Sequence, residues 1–259
     1  MRKLALLPIL LLAAFPAAAQ YVYLIPISGS GTGADNFYDS SLSAINRGSQ
    51  PATVRVGETY TVPGSNPCYV SQTPPTQTIP AGGVVNLTGA FCDIGAFTIE
   101  STQPLAVSEL LYINFKFGAS LSCIQLFANH IEERIEALSD LLPANVESPM
   151  WPVRIGGTSR AHLAVVNPNS VALNVHVRIV RPEFQDATVE RAYVVAAKSL
   201  LYVALDEVQG TPPPHDDPIV VSNQHVVYVR ADAPFAAGVS SVSPFFEYAS
   251  WRPAVPPAP

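Results

Sequence analysis

Imidazoles and carboxylates are the groups in this chain suited to moving protons or holding a metal, and a working site needs them to converge with shifted pKa values. His130, His162, His176, His215 and His225 are instead scattered singly. His162 and His176 lie on what read as neighbouring strands, where they could approach each other, but His176 takes the solvent side and both are expected to be ordinary surface residues. Pro212-Pro213-Pro214-His215-Asp216-Asp217-Pro218 sets an imidazole beside two carboxylates. Its prolines describe a rigid loop more simply than a ligand set. Ser28 to Ser41 is Gly-rich and carries Asp35 and Asp39, without the alternating acidic spacing of a calcium loop. It reads as a strand connection. No Gly-x-Ser-x-Gly elbow, His-Glu-x-x-His helix or phosphate loop is present. The expectation is a non-enzyme with no catalytic residue, no cofactor and no metal; a hydrolase is the least favoured reading.

Three other residue sets have binding or covalent chemistry. Phe245-Phe246, Tyr248 and Trp251 form the densest aromatic cluster. Such rings stack on sugars or close the end of a core, and the core is favoured; Phe246, Tyr248 and Trp251 are the candidates if a ligand is met. The three cysteines, Cys68, Cys92 and Cys123, match no zinc spacing. Cys68–Cys92 is the first choice for a disulfide, because both lie in one predicted domain; pairings through Cys123 stay open. Asn86-Leu87-Thr88 fits a glycosylation acceptor at a predicted strand end.

An oxidising compartment suits a disulfide, and the start of the chain points there. Residues 1–19 combine Arg2 and Lys3, an apolar core from Leu4 to Phe15 and Ala17-Ala18-Ala19, the pattern of a cleaved export signal. The mature chain would keep 12 basic against 20 acidic residues. Scattered bases in an acidic chain argue against nucleic acid and anionic lipid as partners. No transmembrane segment is expected in the mature chain.

The elements that must position these residues repeat. Residues 42–56 (LSAINRGSQPATVRV) align without a gap on 163–177 (LAVVNPNSVALNVHV), with Asn46 on Asn167, Val54 on Val175 and Arg55 on His176. Each reads as two strands in a hairpin about an Asn-led turn. Thr78–Leu87 aligns on Val194–Val203, and Phe97–Ala106 on Val227–Ala236 with Pro104 on Pro234. Between the copies, Ile131, Ile135, Leu138 and Leu142 share a face at helical spacing, predicting a helix from Asn129 to Leu142. The expected fold is all-β: a sandwich over 20–120, a partly helical linker over 121–147, a second sandwich over 148–250, and a Pro-rich tail over 251–259.

On these residues the chain resembles exported bacterial immunoglobulin-like repeat proteins. The features that carry the likeness are strands ending in Asn46-Arg47-Gly48 or Asn167-Pro168, the turn Pro80-Ala81-Gly82-Gly83, and late strands leading to Pro104 or Pro234. The resemblance covers most of the mature chain and implies a fold and a location, with no functional residue to carry over. Two sandwiches behind an export signal also look like a periplasmic pilus chaperone, but the subunit-holding strand and basic pair of those chaperones have no counterpart. The function expected is a structural, adhesive or protein-binding module in a bacterial periplasm, envelope or extracellular space, its partner a protein or envelope component. A carbohydrate-binding protein is the alternative and an assembly chaperone the third.

Overall fold

The computed structural model describes residues 21–29, 31–32, 36–64, 69–70, 76–87, 90–91, 94–115, 130–156, 159–182, 188–206, 208, 224–243 and 248–255. Every regular element among them is a strand, and the sheets are antiparallel apart from one isolated parallel pair. The first half contains β1 (Tyr21–Ser28), β2 (Gly31–Thr32), β3 (Asn36–Asn46), β4 (Ala52–Thr61), β5 (Tyr69–Val70), β6 (Gln77–Ile79), β7 (Val84–Leu87), β8 (Ala90–Phe91), β9 (Gly95–Ser101), β10 (Leu105–Phe115) and β11 (His130–Glu136). The second contains β12 (Ser148–Arg154), β13 (Arg160–Asn167), β14 (Leu173–Val180), β15 (Thr188–Val195), β16 (Ser199–Ala204), β17 (Gln224–Ala231), β18 (Ala236–Ser243) and β19 (Tyr248–Pro253).

Pairing repeats from half to half. In the first, β1-β9-β4-β6 and β11-β10-β3-β7 are neighbours; in the second, β12-β17-β14-β15 and β19-β18-β13-β16. The registers agree residue for residue. Ala52 faces Ile79 and Val54 faces Ser101, as Leu173 faces Val195 and Val175 faces Ala231. Ala106 faces Ile45, as Ala236 faces Val166. The irregularity in β1 between Ile25 and Ser28 recurs in β12 between Met150 and Val153.

The aligned stretches are not hairpins. β3 and β4 belong to different sheets, as do β13 and β14, β6 and β7, and β9 and β10. Each connection is an arch over the end of a core, and an arch leaves inward-turned carbonyls that a hairpin ladder would satisfy. Buried Asn46 supplies the donors, its Nδ2 reaching the carbonyls of Gln50, Ile79 and Pro80 at 2.8, 3.0 and 3.1 Å. Its Oδ1 accepts the Gly48 N–H at 2.8 Å. Buried Asn167 repeats this on Val171, Val195 and Ala196 at 2.8, 3.1 and 2.9 Å, and on the Asn169 N–H at 2.9 Å. One difference compensates itself. Arg47 N–H donates to the Pro104 carbonyl at 2.8 Å; Pro168 has no N–H, and Asn169 Nδ2 reaches the Pro234 carbonyl at 2.8 Å instead.

The predicted helix is a correction. Residues 130–136 form β11, paired with β10 from Asn114↔His130 to Ser108↔Glu136. Ile131 and Ile135 are four apart, a spacing that one face of a helix and one face of a strand both satisfy. The unpaired edge of the long β10 decides for the strand. Past it the linker is extended and stitched to both halves: Leu138 exchanges two 2.8 Å bonds with Leu24, and Leu142 bonds Phe235 at 2.7 and 3.2 Å. β19 runs to Pro253, three residues into the expected tail, and Ala254 is buried.

Three apolar clusters result. Ile25, Ala52, Val54, Ile79, Phe97 and Ile99 lie between the sheets of the first half. Leu163, Val165, Val175, Val177, Val227 and Val229 lie between those of the second. The third is a seam, where Leu24, Ile27, Tyr60 and Ala96 of the first half meet Ala164, Val166, Leu200, Ala236 and Trp251 of the second. Along it Thr61 and Ser199 make the one parallel pair among the described residues, joining β4 to β16.

Asn46→Ala and Asn167→Ala each remove the side-chain donor shared by three carbonyls at an arch, and each is expected to lower unfolding stability by about 2–4 kcal/mol. Asp at either position should not rescue, because a carboxylate has no donor to offer. Denaturant unfolding of the four variants against the parent measures this.

Candidate functional site

The histidines do not converge. His162 lies on the seam face of β13 and His176 on the outer face of β14, in different sheets. His162 stacks on Tyr202 with ring centroids 5.0 Å apart and planes 6° apart. Burial first, and the Arg160 charge second, hold its imidazole below the ordinary value. His225 is buried in β17. His130 starts β11, its side chain outside the described residues, and His215 with the whole 212–218 loop lies outside them too. Ser28–Ser41 is not one loop: it ends β1, forms β2 and opens β3, with Asp35 outside the described residues. Glu132 and Glu133 sit on a strand instead of a helix. Among the described residues no three His, Cys, Asp or Glu side chains are grouped as a metal site would require.

The aromatic candidates separate as well. Trp251 is 6% exposed and packs into the seam, so it faces no ligand surface. A Cβ at Gly238 would collide with its ring, and glycine is what lets the indole lie on β18. Tyr248 begins β19, its side chain outside the described residues; Phe245 and Phe246 are outside them altogether. The accessible indole is Trp151 on the edge strand β12, 59% exposed. Cys68, Cys92 and Cys123 lie outside the described residues, as does Thr88 of the glycosylation motif.

What the described strands do assemble includes two open grooves. One, of about 410 Å³, crosses the seam, with Val22, Leu24, Tyr60 and Leu141 as floor and Pro168 closing it from the second half. Glu58, Glu100 and Asp140 rim it. Lys198 of the second half donates to both Glu58 oxygens at 2.9 and 2.8 Å, and the Tyr60 hydroxyl donates at 2.6 Å. These bonds, Lys198 foremost, hold Glu58 below the usual carboxylate range. Arg55 likewise covers Glu100, its Nε donating at 2.6 Å. The other groove, of about 420 Å³, lies on the outer face of β3 and β10, with Ser43, Ile45 and Ala106 in its floor and Arg47, Val84 and Arg134 around it. Both are shaped for contact; neither sets a nucleophile beside a base.

Sequence reasoning missed Lys198 and Glu58 as the polar tie across the seam. Lys198 sits in a turn at φ 51°, where its counterpart Gly82 has φ 70°. A lysine tolerating a position that suits glycine is a signal the alignment of 78–87 on 194–203 already contained.

Protonating His162 would place a cation in the seam. Its folded pKa lies below the unfolded 6.5, so the unfolded chain binds more protons and this share of stability is lost as pH falls through that value. His162→Phe is therefore expected to shrink the loss of stability between about pH 7 and about pH 5, measured as the shift in urea midpoint at the two pH values. An equal shift in parent and variant would assign the acid loss elsewhere.

No family model, curated protein or solved structure matches the chain.

Proposed function

We propose that the chain is an exported, non-catalytic structural or adhesive module that binds a protein partner, built as two tandem immunoglobulin-like sandwiches and working in a bacterial envelope, periplasm or extracellular space. The duplicated registers and the paired Asn46 and Asn167 arches support the tandem reading. The observation that carries the binding role is β15. It closes the β12-β17-β14-β15 sheet and pairs, among the described residues, through β14 alone. Its eight residues are mostly exposed, and Val194 is 70% exposed. A long open edge with apolar side chains is a template for a partner's strand.

Proline carried singly through Glu190, Arg191 and Ala192 tests this, because backbone N–H groups point alternately toward β14 and toward the open edge. Purified parent chain with a photo-crosslinking side chain at Val194 is expected to capture a discrete envelope protein. Capture should vanish for the proline that removes an outward N–H while that variant unfolds like the parent. Capture unaffected by all three prolines would refute edge binding. A carbohydrate-binding reading now rests on exposed Trp151 instead of Trp251; polysaccharide retention lost in Trp151→Ala would favour it.

Export is also expected to leave Cys68 bonded to Cys92. In the chain Cys68 directly precedes β5 and Cys92 directly follows β8, and those two strands pair antiparallel. Peptide mapping without reduction should find that cross-link with Cys123 alkylated; a bond through Cys123 would overturn it.

A further inference from the structure

The first half holds a carboxyl where the second holds a hydrocarbon. Glu109 of β10 lies opposite Leu42 of β3 and Ile135 of β11. It continues the inward alternation of Leu105 and Val107, so it points between the two sheets. It is 0% exposed, and its oxygens make no well-formed hydrogen bond, the Ser40 and Ser28 hydroxyls being only near enough to favour the charged form weakly. Two hydroxyls stand beside it, buried Ser28 and half-buried Ser40. The Ser40 hydroxyl is turned to the backbone, donating to the Gly29 carbonyl at 2.8 Å and accepting the Gly29 N–H at 2.9 Å. By register, the second half has Val239 for Glu109, Val153 for Ser28 and Ala161 for Ser40.

An ionised carboxylate with no partner in an apolar interior is far costlier than the neutral acid. Burial accordingly pushes the Glu109 carboxyl up to about 8, with Ser40 and then Ser28 only tempering the rise. The groups around it are few. Ser28 faces it from β1, Ser40 from β3 and Ile135 from β11. Tyr23 of β1 stands farther along the same core, its hydroxyl accepting the Leu105 N–H at 2.7 Å. On β11 the neighbouring Arg134 is exposed. The position also touches the seam: Ile135 and Ile27, the neighbour of Ser28, both belong to the cluster between the halves.

We propose that Glu109 is a proton-held latch: as the neutral acid it lets β1, β3 and β10 close over one end of the first core, and its ionisation loosens that end together with the seam against the second half. The folded pKa lies above the unfolded 4.5, so the stabilising contribution is complete below that value and is lost as pH rises to about 8.

The chain has two tryptophans, so a Trp151→Phe background leaves buried Trp251 as the indole reporter of the seam. Thermal unfolding and Trp251 emission are followed from about pH 5 to about pH 9 in that background alone and with Glu109→Gln or Glu109→Val. Expected are a melting temperature that falls with pH and an emission that shifts red on the alkaline limb, both flat in the two variants, which out-melt the parent at the alkaline end. Variants that track the parent curve overturn the latch; variants with flat melting but an unchanged red shift overturn its coupling to the seam. If neither variant folds, carbon-13 titration of the Glu109 carboxyl in the parent decides. A midpoint near 8 supports the latch, and one near 4.5 sinks it.

Discussion

One face of β13 packs into the core of its own half through Ala161, Leu163 and Val165, and the other packs into the seam through Ala164 and Val166. A strand with no solvent side must be apolar at successive positions, as parallel strands covered on both faces are. That constraint sets the neighbours too. Ala164, Ala236 and Gly238 are small enough for two sheets to approach, and Trp251 fills the space they leave. The charged tie between Lys198 and Glu58 is about half exposed on each side, 46% and 54%. Exposed pairs contribute little, so apolar contact holds the halves while the ion pair orients them.

The same constraint explains what could be read from residues alone. LNVHVRIV alternates because β14 has one dry face and one wet face, and the structure buries Leu173, Val175, Val177 and Ile179 while leaving Asn174 and His176 exposed. LAVV does not alternate because both its faces are dry. Alignment of one run on another located the repeated strands, whereas periodicity alone could not say which sheet each joined. An Asn-led turn looks the same before a hairpin as before an arch, and only the three carbonyls gathered on Asn46 distinguish them. At β11 the spacing Ile131 to Ile135 fitted two periods, and the long partner β10 settled it.

Candidate chemistry was less legible, because convergence is a property of sheets and not of spacing. His162 and His176 are close in the chain yet belong to sheets facing opposite ways. Glu109 was legible in principle: taken by twos, the run Leu105, Val107, Glu109, Leu111, Ile113 is apolar except at Glu109. Its significance needs the second half, where Val239 shows what an ordinary core places there.

The seam joins unlike faces, and unlike faces can in principle repeat without end. The first half presents its β1-β9-β4 sheet, and the second presents β19-β18-β13-β16. Continuing the stack would need the first half's β11-β10-β3-β7 face and the second half's β12-β17-β14 face to behave alike. The residues there have changed. Where the second half docks with Leu200 and Trp251, register gives the first half Val84 and Arg134. Where the first half receives with Thr98 beside the irregular Gly57-Glu58, the second has Tyr228 under Arg178, 4.1 Å from ring centre, with Arg178 also bonded to Glu147 at 2.6 Å. Long charged side chains over a sheet resist a second sheet, much as polar caps end a solenoid. The contacts that join the two halves are therefore not reproduced at these positions of their outer faces.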